Sequence, residues 1–365
     1  MQVLVELVGG TDIARELVLT AIRHGKHVVT ANKALIAHHG AEIFAAAAEH
    51  RVAVLYEAAV AGGIPIIKAL REGLAANRIR WVAGIINGTT NFILTEMREK
   101  GRAFEDVLKE AQALGYAEAD PTFDVEGIDA AHKLVILAAL AFGMPLEVER
   151  ISTEGITRIT QEDIRYAGEL GYRIRHLGIA RDTGQGIELR VNPTLVPQDS
   201  LIAQVDGVKN AVMVMGDAVG PTLYSGAGAG SEPTASSVIA DIVDLARALA
   251  HGQAPVVPYM GVEPAAVQSR PILPLEAIHS AYYLRLVVND KPGVMSEITQ
   301  ALSAAGISIE AIIQKEPPRG ETKVSIVLIT NVVQESSLNQ ALKDIESRPF
   351  VVATPVRLRV DNLAN

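Results

Sequence analysis

The sequence has no cysteine, a single tryptophan and only 4% aromatic residues. Without cysteine there is no disulfide framework, no thiolate nucleophile and no cysteine-ligated metal. Nothing at the N-terminus reads as a signal peptide, so a cytoplasmic address is expected. Uninterrupted apolar runs are also missing: none reaches the roughly 18 residues a membrane-spanning helix needs, and the nearest is the stretch after Lys133. Basic residues are in deficit, with 33 Lys and Arg against 42 Asp and Glu and a net charge of −9. They form no stripe, which argues against nucleic acid or an anionic membrane as partner. What is abundant is apolar side chain: 49% of 365 residues, with mean hydropathy +0.23. That is enough to bury a full core, and the length predicts two or three domains.

The most informative stretch runs from Gly115 to Lys133 and carries Glu118, Asp120, Asp124, Asp129 and Lys133. Directly after it comes Leu134-Val-Ile-Leu-Ala-Ala-Leu-Ala-Phe142, apolar on every face and therefore a buried helix. Lys133 thus enters a protein interior. Asp129 stands four residues earlier on the same helix face, and an ammonium at the mouth of a buried helix needs a carboxylate or a bound polar ligand beside it. Two readings satisfy that need: a structural ion pair closing the end of a core helix, or a reactive site. Asp120, just before Pro121, has a simpler reading as a turn residue.

Taken in order, Gln2 to Val8 reads as a strand, with Gly9-Gly10 turning into a helix that Asp12 caps and that ends near Gly25. His27 to Thr30 is a second strand running into Asn32, the cap of a helix from Lys33, and Val52 to Tyr56 is a third. Strands separated by helices mean a parallel sheet, here an incomplete Rossmann-like one. The opening strand, the Gly-x-Gly-x-x-Gly turn and the ribose-binding acid of that fold are expected before residue 1. On this reading the present chain binds a dinucleotide weakly or not at all. Lys33 lies at the strand-to-helix edge where such sheets hold ligands, although position alone also fits, and rather favours, a solvated first-turn lysine. Glu57-Ala-Ala-Val-Ala-Gly-Gly-Ile-Pro65 is a strand exit with a tight glycine turn and a helix start at Pro65. Arg80 to Ile86 is a strand, followed by a turn at Asn87-Gly-Thr-Thr-Asn with Thr89 or Thr90 as helix cap, and a helix from Phe104 stops at Gly115.

Beyond Phe142 the chain is expected to alternate strands and short helices through Ile187–Asn192 and Ala211–Met215. Gly226-Ala-Gly-Ala-Gly230 then leads into a helix capped by Ser231 or Thr234 that runs to Ala250. That loop is a packing turn or a ligand contact, but not a Rossmann fingerprint, because no first strand precedes it. Prolines mark a linker over 256–280. The remainder has the order βαββαβ, with Asp-Lys-Pro-Gly at its first turn.

Gly115-Tyr-Ala-Glu-Ala-Asp-Pro121, with Asp124, Asp129 and Lys133 beyond it, resembles the signature of homoserine dehydrogenases, which interconvert aspartate 4-semialdehyde and homoserine with a nicotinamide cofactor. The likeness extends to Val28-Val-Thr-Ala-Asn-Lys-Ala-Leu35, Glu57–Pro65 and Asn87-Gly-Thr-Thr-Asn-Phe92. The C-terminal unit is similar to the ACT domain, a small-molecule sensor, although an oligomerisation module that binds nothing has the same order of elements. The implied architecture is α/β: an incomplete Rossmann-like sheet over 1–63 completed by helix 234–250, an α+β substrate and dimerisation domain over 64–233, and an ACT domain over 281–365.

The resemblance assigns Lys133 as the acid that protonates the reacting oxygen and Asp129 as the group orienting both. Glu118 holds the substrate's α-amino group, and Asp124 shapes the same acidic pocket, which the Asn87 loop borders. Lys33, Gly115 and Gly230 are placed toward NAD(P). Backbone carbonyls of Glu57, Val60, Gly62 and Ile64 hold a monovalent cation, sodium. Threonine is the implied effector at Asn289–Val294, and the assembly a homodimer or homotetramer. The rival reading is a cofactor-deficient amino-acid-binding protein that keeps the substrate pocket and the sensor.

Overall fold

The computed structural model describes residues 2–252, 257–317 and 320–363, which fold into two compact units. The first comprises Met1–Arg158, His176–Asn192 and Gln204–Ile272; the second comprises Ile159–Arg175, Pro193–Ala203 and Leu273–Asn365.

The first unit opens with three parallel strands in the order β1 (Val3–Glu6), β2 (His27–Thr30), β3 (Val54–Leu55), joined by helices α1 (Asp12–Arg23) and α2 (Lys33–Glu49). Strand β1 is shorter than its apolar run because Glu6 turns the chain. Its carboxylate accepts from the backbone N–H groups of Val8 (2.8 Å) and Gly9 (3.2 Å) and from the Thr30 hydroxyl at 2.6 Å. Asp12 does not cap α1. Thr11 holds the cap position without a side-chain bond, and Asp12 is the first helical residue, where its charge meets the positive end of the helix. Asn32 caps α2 as expected, accepting from the Leu35 N–H at 3.0 Å.

A second sheet in this unit is antiparallel and was only partly legible. Strand β4 (Ile79–Ile85) pairs with β5 (Tyr172–Asp182) on one side and β7 (Lys209–Gly216) on the other, and β7 pairs with β8 (Gly220–Ala227). The chain between β5 and β7 forms β6 (Ile187–Pro197), and both β5 and β6 are eleven residues long where an alternation of strands and short helices was expected. Their central residues are buried without alternation, so a period of two is missing from the sequence. Helix α3 (Gly88–Lys100) follows β4, and helix α4 (Ile128–Phe142) covers the sheet. A side chain at Gly178 of β5 would meet Ile86 at 3.0 Å and Leu134 at 3.4 Å, which shows how closely α4 lies on the strands.

Leu134 through Ala139 are fully buried in the main core. Burying Leu134, Val135, Ile136 and Leu137 stabilises the helix by roughly 6–12 kcal/mol, an upper figure because the unfolded chain already buries some of that surface. That anchorage fixes the first turn of α4. Helix α5 (Ser231–Ala250) returns to the first sheet, where Val238 and Leu245 pack with Val29, Ala53, Leu55 and Ala58. Neither Ser231 nor Thr234 caps it; Gly230 stands at the cap position with φ +117° and no side-chain bond is made.

In the second unit, β9 (His279–Asn289) is central. It pairs antiparallel with β11 (Lys323–Thr330) and β12 (Val356–Val360), and β10 (Ile309–Gln314) flanks β11. Helices α6 (Val294–Ala304) and α7 (Glu335–Glu346) supply Ile298, Leu302, Leu338 and Ile345 to a core with the strands, which completes the βαββαβ order. Helix Gln161–Glu169 is tied in through buried Asp163, which accepts from Arg285 Nε at 2.6 Å and from the Tyr283 hydroxyl at 3.0 Å. Of the expected linker, residue 256 lies outside the described residues; the rest contains two short 3₁₀ turns, Pro264–Ala266 and Leu275–Ala277.

Candidate active site

Three elements bring their ends together: the exit of β4, the start of α2 and the first turn of α4. Asp129, buried at 4% exposure, is the hub. Its Oδ2 accepts from Lys133 Nζ at 2.7 Å and from Asn87 Nδ2 at 2.9 Å, and its Oδ1 lies 3.1 Å from Lys33 Nζ. Lys133 also donates to the Ile86 carbonyl at 2.8 Å, and Asn87 Nδ2 reaches Asp124 Oδ1 at 2.7 Å. Of the three ammonium protons of Lys133, two serve these bonds and one is uncommitted.

Asn87 is the residue that sequence reasoning passed over. Its side-chain Oδ1 caps α3 by accepting from Thr90 N–H at 2.8 Å, so Asn87, and not Thr89 or Thr90, is the helix cap. Thr89 instead donates to the Tyr116 carbonyl at 2.5 Å. Capping fixes the Asn87 amide and leaves its Nδ2 aimed at both acids. The available signal was an Asn directly before a helix start, which names a cap but not what its other end touches.

Burial opposes the charge on Asp129, yet Lys133, Lys33 and Asn87 outweigh it and hold the carboxyl well below the usual range. Asp124 moves the other way: burial pushes it up, against partial relief from Asn87, and the neighbouring Asp129 charge adds to the rise. One acid is therefore firmly anionic between two ammoniums, and the other is more basic than usual.

A cleft of about 850 Å³ opens beside this cluster, lined by Gly9, Gly10, Lys33, Gly230, Val5 and Val238 among others. It lies outside the carboxyl ends of the parallel strands, the side on which open α/β sheets bind ligands. Gly9 (φ +77°) and Gly10 (φ +68°) precede the N-terminus of α1, and nothing stands within 4 Å of where their side chains would be. Asn32 Nδ2 holds this turn by donating to the Gly10 carbonyl at 2.7 Å. Open glycine backbone, two helix N-termini, a lysine and an apolar wall fit a dinucleotide.

Two expected contacts lie elsewhere. Gly115 (φ +75°) closes helix Phe104–Ala113 in open surroundings and does not line this cleft. The Glu118 side chain is exposed and makes no hydrogen bond or ion pair among the described residues. Asp120 is a turn residue, accepting from the Thr122 N–H at 3.1 Å.

The 57–64 loop is held from both sides. The Glu57 carboxylate accepts from the Ile67 and Lys68 N–H groups, each at 2.9 Å, and the Glu57 N–H donates to Asp241 of α5 at 2.9 Å. Burial pushes the Glu57 carboxyl up to about 7 and that of Asp241 up to about 6. The Gly62 carbonyl accepts from the Ser237 hydroxyl at 2.8 Å, and those of Glu57 and Ile64 each accept one backbone N–H. A second lone pair on each has no partner among the described residues. Gly62 itself (φ +52°) tolerates no side chain, since a Cβ would lie 2.5 Å from the Gly228 carbonyl oxygen. Among the described residues no group of three or more His, Cys, Asp or Glu could hold a metal ion, so any cation here rests on backbone oxygens.

Comparison with known proteins agrees with the geometry. Residues 1–57 match the homoserine dehydrogenase NAD-binding domain, 65–243 the homoserine dehydrogenase domain and 282–350 the ACT domain. The chain is 61% identical to a homoserine dehydrogenase of Pseudomonas aeruginosa, over 100% of this chain and 84% of that one. A homoserine dehydrogenase structure from Thiobacillus denitrificans superposes with a TM-score of 0.95 at 60% identity, over 100% of this chain and 83% of that one. A hyperthermophilic archaeal homoserine dehydrogenase in complex with NADPH superposes with a TM-score of 0.60 at 31% identity, over 67% and 72%. These likenesses favour the enzyme over the cofactor-deficient binding protein. The chain belongs to the homoserine dehydrogenase family, the NAD(P)-dependent oxidoreductases that interconvert L-aspartate 4-semialdehyde and L-homoserine, and it carries the ACT domain at its C-terminal end.

Proposed function

We propose that Lys133 is the acid that gives a proton to the substrate oxygen when the semialdehyde is reduced, and takes it back in the other direction. The carrying observation is the Lys133–Asp129–Lys33 cluster, whose Lys33 lines the cleft. The nicotinamide, when bound, supplies the hydride; Gly9, Gly10, Lys33 and Gly230 are the residues that would hold the dinucleotide, with Gly115 a further contact on family likeness. Asp129 keeps Lys133 charged and aimed, while Asn87 and the Ile86 carbonyl fix its position. Asp124, held by Asn87, shapes the substrate pocket, and Glu118 is assigned the α-amino group. Replacing Lys133 by Ala tests the proton donor, with a loss expected mostly in kcat.

The carbonyls of Glu57, Val60, Gly62 and Ile64 form a monovalent cation site, sodium by preference, supported by the lone pairs without a partner among the described residues and the strained turn at Ala61 (φ +55°) and Gly62. In the second unit, the 289–294 turn precedes α6, and we assign it threonine as effector. Asn289 and Asp290 donate their N–H groups to Phe350 and Thr322, and Gly293 (φ +94°) opens the helix. Self-association as a homodimer or homotetramer is supported by β8, whose outer edge is unpaired among the described residues. A cytoplasmic location is proposed with the absent cysteines; no helix among the described residues is long and apolar enough to cross a membrane. The domain boundaries we assign are 1–63 with 234–250 for the cofactor, 64–233 for substrate and 281–365 for regulation.

A further inference from the structure

A second cleft, of about 540 Å³, lies at the far end of α4 and shares no residue with the first. Its floor is Leu140 to Gly143, the last turn of the helix whose first turn carries Asp129, about 20 Å away at 1.5 Å per residue. Its rim includes Arg78 and Arg270, whose Nη2 atoms converge on opposite oxygens of Asp182, at 3.0 and 2.9 Å. That shared carboxylate is itself buried, with its side chain 4% exposed, while the Arg78 side chain is 73% exposed and has most of its donors in the cleft mouth or solvent.

Arg71 completes the lining. It is 8% exposed, donates through Nη2 to Glu72 at 2.7 Å, and has an interior Nε with no hydrogen-bond partner. On its inner side it is within electrostatic reach of the buried Glu57 and Asp241 carboxyls. Arg71 belongs to a π-helical turn, Ala69–Gly73, a geometry that recurs at functional sites, and this turn continues the short helix whose N–H groups the Glu57 carboxylate holds. Three guanidiniums therefore line the cleft against one carboxylate, Asp182, while Glu72 outside the lining pairs with Arg71. Opposite them, the carbonyl end of α4 carries partial negative charge, and the Gly143 carbonyl accepts from the Gln268 N–H at 3.0 Å.

We propose that this cleft is a second ligand site, for a small carboxylate or phosphate anion that also bears a hydroxyl or amino group. Its charge is held by Arg78 and Arg270, where planar guanidinium forks match either oxyanion, and its donor turns to the carbonyls ending α4. An anion without a donor meets those carbonyls unfavourably. Arg71 lies within electrostatic reach of Glu57 at the start of the 57–64 loop, and the Leu140–Gly143 lining belongs to the helix and cap that carry Lys133.

The test is calorimetric titration of the full chain with inorganic phosphate and with lactate, beside propionate, which lacks the donor. Binding of phosphate or lactate at millimolar concentration or tighter is expected, with propionate at least tenfold weaker than lactate; which of the two binds more tightly identifies the oxyanion. Arg78→Gln, at an exposed position, weakens binding about tenfold by removing charge-assisted contacts. Ala266→Glu, also exposed, places a carboxylate in the cleft and abolishes binding. Absence of binding by both anions, or binding unchanged in both variants, overturns the proposal.

Discussion

Asp129→Asn removes one charge from the centre of the cluster and leaves its shape. In the wild type a buried carboxylate stands 2.7 Å from one ammonium and 3.1 Å from another. Taking one partner out of a buried ion pair costs about 3–5 kcal/mol, because the remaining charge is uncompensated. Lys133, with its side chain 12% exposed, bears most of that penalty; Lys33, at 33%, is relieved by water. Asn still accepts a hydrogen bond, so about 3 kcal/mol is the expected loss, or roughly 6–10 °C in Tm for a unit of this size. Thermal unfolding followed by circular dichroism reads it. Adding Lys33→Met removes the surplus cation and restores at least half of the lost stability. Asp129 also sets an acid limb. Its folded pKa lies below the unfolded value, so its contribution is present above about pH 4 and is lost as the pH falls toward the folded value. Asp129→Asn flattens that limb. A variant within 1 kcal/mol of wild type, with an unchanged acid limb, would refute the reasoning about the hub.

Three further outcomes follow from other sites. Gly62→Ala meets the Gly228 carbonyl oxygen at 2.5 Å in a left-handed backbone conformation, so we expect about 2–3 kcal/mol of destabilisation and weaker cofactor affinity from the displaced 226–230 loop, measured by unfolding and by dinucleotide titration. Glu57, with its carboxyl raised from 4.5 to about 7, favours the folded state when protonated, so its stabilisation is complete below about pH 4.5 and is lost by pH 7; about 3 kcal/mol is at stake, and Glu57→Gln flattens this limb in unfolding measured across that range. Threonine added to the full chain should give calorimetric heat at millimolar ligand and lower the activity, with a coupling of about 1–3 kcal/mol, and Asp290→Ala should weaken both; no heat would favour a purely oligomerising domain.

The parallel βα units and the βαββαβ unit were legible because each is local. Asn32 announces α2, Gly115 ends its helix, and Lys323–Thr330 alternates or runs apolar between clear turn residues. The i, i+4 pair of Asp129 and Lys133 was legible for the same reason. Lys33 joins them from 96 positions away in the chain, and the Asn87 bridge from 42, and no periodicity carries contacts of that kind. Strand β5 was missed because its middle is buried on both faces and mixes Arg175 and His176 with apolar residues, which hides both a strand and a helix period. The caps expected at Ser231, Thr234 and Asp12 were reasonable residue types at the right places, but the backbone there closes without a side-chain acceptor. Glu118 is a role carried by resemblance alone: its exposed side chain makes no contact among the described residues from which that role could be read.

The central claim is that Lys133 delivers the proton. Steady-state reduction of aspartate 4-semialdehyde with NADPH, comparing the wild type with Lys133→Ala and Lys133→Arg, tests it most directly. A positioned acid contributes about 10²- to 10⁴-fold, so kcat should fall by that factor in Lys133→Ala with KM changed little. Lys133→Arg keeps the charge beside Asp129 but is a far poorer proton donor, and it should recover stability without recovering kcat. A Lys133→Ala enzyme whose kcat stays within a few-fold of wild type would contradict the account.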